Sequence, residues 1–129
     1  MRTAPRLLPA LITPFSRSGE LDLNAHRHNL RTLTKRGIKG FLVGGSTGEG
    51  PYLDPGERAT LLTATRQELG TRPFLLAGVA GESLRVATAQ VEEAAVAGAD
   101  AVLALTPTSL VRGNQAAVIG FFKDLVGRT

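Results

Sequence analysis

The sequence predicts an α/β fold organised around a parallel sheet. Three observations carry that expectation. Short apolar runs at residues 8–12, 40–43, 74–77 and 101–105 lack the polar alternation of a half-solvated strand, as expected of strands covered on both faces. Longer stretches with helical spacing of apolar residues lie between them. The runs start near residues 8, 41, 74 and 101, a repeat of about 31 residues, so 129 residues hold roughly four βα units. A complete (β/α)8 barrel has eight units and about 250 residues. The expectation is therefore one α/β domain over residues 1–129 with four βα units, half of a TIM-type barrel's worth of elements.

Each element has its own signals. Leu8-Pro9-Ala10-Leu11-Ile12 is the first expected strand. The first helix starts after Asp22 as N-cap and runs to about Arg36. Leu23, Leu30 and Leu33 form its stripe and Gly37 stops it. Gly40-Phe41-Leu42-Val43 is the second strand. The second helix is expected at Asp54-Pro55-Gly56-Glu57, with Asp54 at N-cap, Pro55 at the first helical position and Glu57 at the third. Leu61, Leu62, Thr65 and Leu69 continue it, and Gly70 ends it. After the strand Phe74-Leu75-Leu76-Ala77, Ser83 opens a third helix with Leu84, Ala87, Val91, Ala94 and Ala95 on one face and Gly98 at its end. The run Ala101-Val102-Leu103-Ala104-Leu105 precedes a fourth helix. It follows Asn114, with Val118, Ile119, Phe122, Leu125 and Val126 facing inward. A small doubly wound sheet is the competing fold. It usually carries a glycine-rich phosphate loop after its first strand, whereas this chain runs into Thr13-Pro14-Phe15-Ser16. Strand order separates the two.

Composition narrows the class of function. Apolar residues make up 43% and charged residues 20%, enough for a core and too apolar for disorder. Mean hydropathy is +0.05, and the longest apolar runs are far below the roughly 18 residues of a membrane span. The basic N-terminus has no signal-peptide core, and a cytoplasmic setting is expected. Cysteine is absent, which excludes disulfides, thiolate metal sites and a cysteine nucleophile. The net charge of +4 comes from scattered arginines such as Arg17, Arg36, Arg58, Arg72, Arg85 and Arg112. Aromatics are only 5%, so a solvated surface is expected rather than a nucleic-acid face.

Chemistry in parallel α/β folds gathers at the carboxyl ends of the strands. The most informative loop there is Gly44-Gly45-Ser46-Thr47-Gly48-Glu49-Gly50. Its glycines free the backbone to turn sharply, and Ser46 and Thr47 add hydroxyls to an amide nest able to hold a carboxylate or phosphate. The plainer alternative is a turn whose hydroxyls satisfy its own backbone. The loop matches neither the P-loop nor the dinucleotide fingerprint. Other candidates are weaker. His26 and His28 are two apart on a helix and point to different faces, so they are expected to be solvated or partly packed, and no metal site is expected. Glu92 and Glu93 read as exposed surface. Glu82 sits near the rim, as a cap for the third helix or a ligand contact.

Pro9-Ala10-Leu11-Ile12-Thr13-Pro14-Phe15, Gly44-Gly45-Ser46-Thr47-Gly48-Glu49, Ala77-Gly78-Val79 and Gly98-Ala99-Asp100-Ala101-Val102 with Thr106-Pro107 follow one another along the chain. Together they resemble the dihydrodipicolinate synthase / N-acetylneuraminate lyase family of Schiff-base aldolases on TIM barrels. The resemblance implies that Ser46 and Thr47 bind the carboxylate of pyruvate or another 2-oxo acid. It implies that Thr47 can join a proton relay, that Glu49 is structural, and that no metal or organic cofactor is needed. It also implies a homo-oligomer with a small-molecule substrate, and neither a nucleic-acid nor a membrane partner. Many members carry Tyr-Tyr after the strand-four Thr-Pro, the second tyrosine reaching across a subunit interface. This chain has Thr108-Ser109 instead. The family's imine-forming lysine and a catalytic tyrosine belong to strands six and five, beyond the four units expected here. Lys35, Lys39 and Lys123 are expected at a helix end, before the second strand and on the fourth helix, none beside Ser46 and Thr47. Tyr52 is expected to pack near the start of the second helix. The expected function is thus the N-terminal half of a lysine Schiff-base lyase, aldolase or synthase, inactive in isolation. The alternative is a non-catalytic half-barrel module that dimerises or pairs with a second chain.

Overall fold

The computed structural model of the chain describes residues 2–109, 111 and 113–129; Arg112 therefore lies outside the described residues. Its elements are α1 (Leu23–Lys35), β1 (Gly40–Val43), a single 3-10 turn (Gly50–Tyr52), α2 (Glu57–Leu69), β2 (Phe74–Val79), α3 (Leu84–Val96), β3 (Ala101–Ala104) and α4 (Gln115–Arg128). The strands form one parallel sheet in the order β1-β2-β3. Phe41 lies beside Leu75, Val43 beside Ala77 and Val79 beside Ala104.

The first expected strand is reduced to a bridge. Ala10 pairs with Leu42. Leu11 N–H donates to the Leu42 carbonyl at 2.9 Å, and Leu42 N–H to the Pro9 carbonyl at 3.0 Å. Pro9 has no N–H to extend the ladder on one side, and Pro14 interrupts the chain on the other. The segment nevertheless lies beside β1, so the four extended pieces follow chain order across the sheet. A doubly wound sheet reverses direction after its first strands. The sequential order found here removes that alternative.

Helix boundaries follow local chemistry. Asp22, Ser83 and Asn114 cap α1, α3 and α4, accepting from the N–H groups of Ala25, Val86 and Ala117. Gly37 and Gly98 just beyond α1 and α3 adopt φ of 88° and 86°, the left-handed conformation that ends a helix. The start of α2 corrects the expectation. Asp54 is not its N-cap: Pro55-Gly56 form a turn with Gly56 at φ 88°, and the helix begins at Glu57. Proline then glycine with positive φ is the signature of a type II turn. Half of the expected box survives, because the Glu57 carboxylate accepts from Asp54 N–H at 2.8 Å.

Leu11, Leu30, Phe41, Val43, Leu61, Leu62, Leu75, Ala77 and Ala94 form the main core, between the sheet and α1, α2 and α3. A second cluster joins Val79, Ala87 and Leu125, flanked by Leu84, Val91, Ala104 and Phe121. Ala95, Ile119 and Val126, expected to face inward, are exposed. On α3 the buried line runs through Ala87 and Ala94, and on α4 only Leu125 is buried. β3 is the uncovered end of the sheet. Val102, Leu103 and Leu105 retain 36%, 44% and 37% of their accessible surface, while β1 and β2 are almost fully buried.

A polar peg fixes the amino ends of the strands. The Asp100 carboxylate accepts from Leu75 N–H at 2.8 Å, from Arg66 Nη2 at 2.7 Å and from Arg2 Nη1 at 3.0 Å. Partial burial pushes its pKa up, and those three donors outweigh burial to hold it below the usual value. No described helix is long and apolar enough to cross a membrane.

His26 is neither solvated nor partly packed, as expected of it; it is 1% exposed, between α1 and α2. Thr65 Oγ1 donates to the Leu61 carbonyl at 2.8 Å, so its single proton is used. His26 Nε2, 2.9 Å away, must be the donor to it, which places a proton on Nε2. Burial, and secondarily Arg27, push the His26 pKa down. Below about pH 6.5 the unfolded chain therefore takes up this proton before the native one does. Melting temperature is expected to fall as pH drops through that value, and to fall less in His26→Gln. An unchanged pH profile in His26→Gln would refute the assignment.

Candidate functional site

The loop from Gly44 to Gly50 leaves the tip of β1 and folds back over the tip of β2. Gly48 N–H donates to the Gly45 carbonyl at 3.0 Å, which puts Ser46 and Thr47 at the two central positions of a turn. Glu49 N–H donates to the Ser46 carbonyl at 3.1 Å and Gly50 N–H to the Gly45 carbonyl at 3.0 Å. Glu49 has φ 57°, the one non-glycine residue with positive φ among the described residues. Its side chain is exposed. Holding it there stores about 1–2 kcal/mol, which the surrounding hydrogen bonds must sustain.

Three glycines make this fold-back possible. A Cβ on Gly50 or on Gly78 would overlap the Gly44 carbonyl oxygen, and one on Gly48 would stand 2.6 Å from the Leu11 carbonyl oxygen. Two buried side chains secure the loop from below. Thr13 Oγ1 donates to the Gly48 carbonyl at 2.6 Å. Arg58, 4% exposed, donates from Nε to the Gly78 carbonyl at 2.8 Å and from Nη2 to the Gly50 carbonyl at 2.9 Å. Burial pushes its pKa down, partly offset by Glu93, whose carboxylate lies 4.0 Å from Nη1.

Ser46 and Thr47 themselves are exposed at the strand tips. Among the described residues, neither hydroxyl and neither backbone N–H hydrogen-bonds to another protein group. The turn does not use its hydroxyls to satisfy its own backbone, which was the plainer alternative. Its donors are left for solvent or a ligand.

A second clasp lies on the same side of the sheet. The Glu82 carboxylate accepts from Thr108 N–H at 3.0 Å and Thr108 Oγ1 at 2.9 Å, and from Ser109 N–H at 3.1 Å and Ser109 Oγ at 2.5 Å. The bonds from Ser109, then those from Thr108, lower its pKa to about 2. Glu82 therefore ties the segment after β3 to the start of α3, rather than capping α3 itself. Ser83 fills that role.

The remaining candidates separate. His28 is exposed and Tyr52, expected to pack against α2, is 83% exposed. Glu92 is exposed, but Glu93 is only partly so and approaches Arg58. Lys35 is the last residue of α1, Lys39 precedes β1 at the amino end of the sheet, and Lys123 is exposed on α4. No lysine joins Ser46 and Thr47. Among the described residues no three His, Asp or Glu side chains gather as a metal site. Sequence reasoning named Thr13 in the loop after the first strand without giving it a role, and placed Arg58 on the surface. The available signal was its spacing: Arg58, Leu61, Leu62, Thr65 and Leu69 share one helical stripe.

Sequential parallel βα units, with an exposed glycine–hydroxyl turn over the strand tips, define part of a TIM-barrel enzyme scaffold. Residues 3–129 match the Dihydrodipicolinate synthetase family, and the chain belongs to that family. It is 40% identical over 102 residues to a 4-hydroxy-tetrahydrodipicolinate synthase of Synechococcus sp., covering 79% of this chain and 34% of that protein. It is 37% identical over 117 residues to one from Xanthomonas campestris, covering 91% and 38%. The fold superposes on the dihydrodipicolinate synthase of Aquifex aeolicus with a TM-score of 0.86 at 28% identity, covering 95% of this chain and 41% of that one. The chain thus spans about a third of the length of the curated relatives it matches.

The loop geometry makes two stability predictions. Thr13→Val leaves the buried Gly48 carbonyl unpaired and is expected to destabilise the fold by about 1–3 kcal/mol in urea titration. Gly78→Ala forces the loop off the tip of β2 and is expected to lose about 1–3 kcal/mol, with shifted amide resonances at Gly44–Gly50. Wild-type stability in either variant would refute the packing described.

Proposed function

We propose that this chain is the carboxylate-binding half of a 2-oxo-acid lyase or synthase of the Schiff-base type, with pyruvate as the simplest ligand. One observation carries the reading: the hydroxyls and N–H groups of Ser46 and Thr47 have no protein partner among the described residues and are adjacent and exposed at the carboxyl end of a parallel sheet. A carboxylate accepting from them gains charge-assisted hydrogen bonds, each worth about 1.5–3 kcal/mol. That binding leaves the 2-oxo carbon beside the strand tips, where an amine adds and water departs to give the imine. Thr47 is assigned the proton-relay role on the family resemblance and on its exposed hydroxyl. The curated relatives' name, 4-hydroxy-tetrahydrodipicolinate synthase, supports the 2-oxo-acid class. Thr108-Ser109 in place of two tyrosines argues against an unmodified copy of that reaction. A cytoplasmic setting goes with a small-molecule substrate of this kind.

The three lysines are remote from the turn, so residues 1–129 alone are expected to bind a 2-oxo acid without forming an imine. Incubation with pyruvate and borohydride followed by mass measurement is expected to give no adduct; an adduct on Lys35, Lys39 or Lys123 would overturn this. Ser46→Ala and Thr47→Val are each expected to weaken pyruvate binding about tenfold, one charge-assisted hydrogen bond at the low end of the scale. Titration followed by amide resonances reads it, and unchanged binding in both would remove the role.

The exposure of β3 favours a second reading, a half-barrel module that associates with a second copy or another chain. Sedimentation across a hundredfold range of concentration tests it. A dimer supports the module, and a monomer at every concentration refutes pairing with a second copy.

A further inference from the structure

We infer that Arg58 is a positioning residue for the Ser46–Thr47 turn, holding its donors in a binding arrangement from behind the loop. The inference rests on the proposed carboxylate role of that turn and adds a residue to it. The guanidinium reaches two carbonyls that belong to different segments, Gly50 at the end of the loop and Gly78 in β2. Its Nε would stand 3.8 Å from a Cβ on Gly44, so it also lies against the loop's first residue. Both ends of the fold-back are thereby fixed to one side chain.

The chemistry calls for arginine. Two carbonyls approached from different directions need a planar fork of donors; a lysine ammonium is a single point and reaches one of them well. Among the described residues the only acidic partner is Glu93 at 4.0 Å, outside good hydrogen-bond distance. The buried charge is therefore compensated mainly by the two glycine carbonyls. Burying a guanidinium with so loose a counter-ion is unfavourable unless those bonds are made. The same charge, close behind Gly44, also favours an anion at the turn.

A purely structural Arg58 and a positioning Arg58 differ in what they change. Amide exchange and pyruvate titration are compared for the wild-type chain, Arg58→Lys and Leu125→Ala. The last removes a core side chain of α4 in the second cluster and serves as a destabilised control. Arg58→Lys is expected to remain folded at low temperature. Its Gly48 and Gly50 amides should exchange about tenfold faster relative to those of α1, and Ser46 and Thr47 should need about tenfold more pyruvate for the same shift. Leu125→Ala should leave both readouts unchanged. Wild-type exchange in Arg58→Lys, or an equal loss of pyruvate response in Leu125→Ala, would overturn the inference. If the wild-type chain shows no pyruvate response, the carboxylate reading fails, and the exchange comparison still decides whether Arg58 orders the loop.

Discussion

The carbonyl of Gly44 lies between the backbones of Gly50 and Gly78, closer than any side chain allows. That approach is the constraint on which the rest of the site depends. It brings the loop after β1 onto the tip of β2, so the turn bearing Ser46 and Thr47 stands over the sheet rather than out in solvent. It crowds carbonyl oxygens together, and crowded carbonyls need donors. Arg58 and Thr13 supply them from α2 and from the segment before α1. The carbonyls of Gly45 and Ser46 accept from later amides of the loop, those of Gly48 and Gly50 from Thr13 and Arg58, and the donors of Ser46 and Thr47 face outward.

α2 serves both ends of the sheet. Arg58, in its first turn, is bonded to the strand tips. Arg66, in its last, is bonded to the Gly98 and Pro73 carbonyls and to Asp100 at the strand bases. Between them Leu61, Leu62 and Thr65 fill the core and meet His26 of α1. The helix is a strut fixed at two points, so the distance between the structural peg at Asp100 and the turn at Ser46 is set by one rigid element. Such support is what a binding turn on a loop requires.

Much of this was legible in the sequence. Apolar runs and helix caps gave three of four strands and every helix, because burial period and capping act locally. The failures have physical causes. The run at residues 8–12 is apolar but proline-bounded, so it bridges to β1 without becoming a ladder. Asp54 precedes a proline–glycine turn that delays α2 by two residues. Ile119 and Val126 match a helical stripe, yet on α4 Leu125 is the buried residue, packed with Val79 and Ala87, and Phe121 flanks it. The site was half legible. The turn announced itself through its glycines and hydroxyls. Arg58 did not, because a buried arginine is defined by carbonyls that only the fold brings to it. Glu82 was placed near the rim, but its partners Thr108 and Ser109 lie 26 and 27 residues away.

The sequential strand order has a consequence for how the chain assembles. Among the described residues each extended segment pairs with the one before it, roughly thirty residues earlier. Loop-closure entropy is then met in equal, modest steps, so the units can be laid down one after another as the polypeptide lengthens. The main core is complete once α3 has docked. β3 is paired on one edge among the described residues and keeps a partly exposed face, the features that go with low local stability.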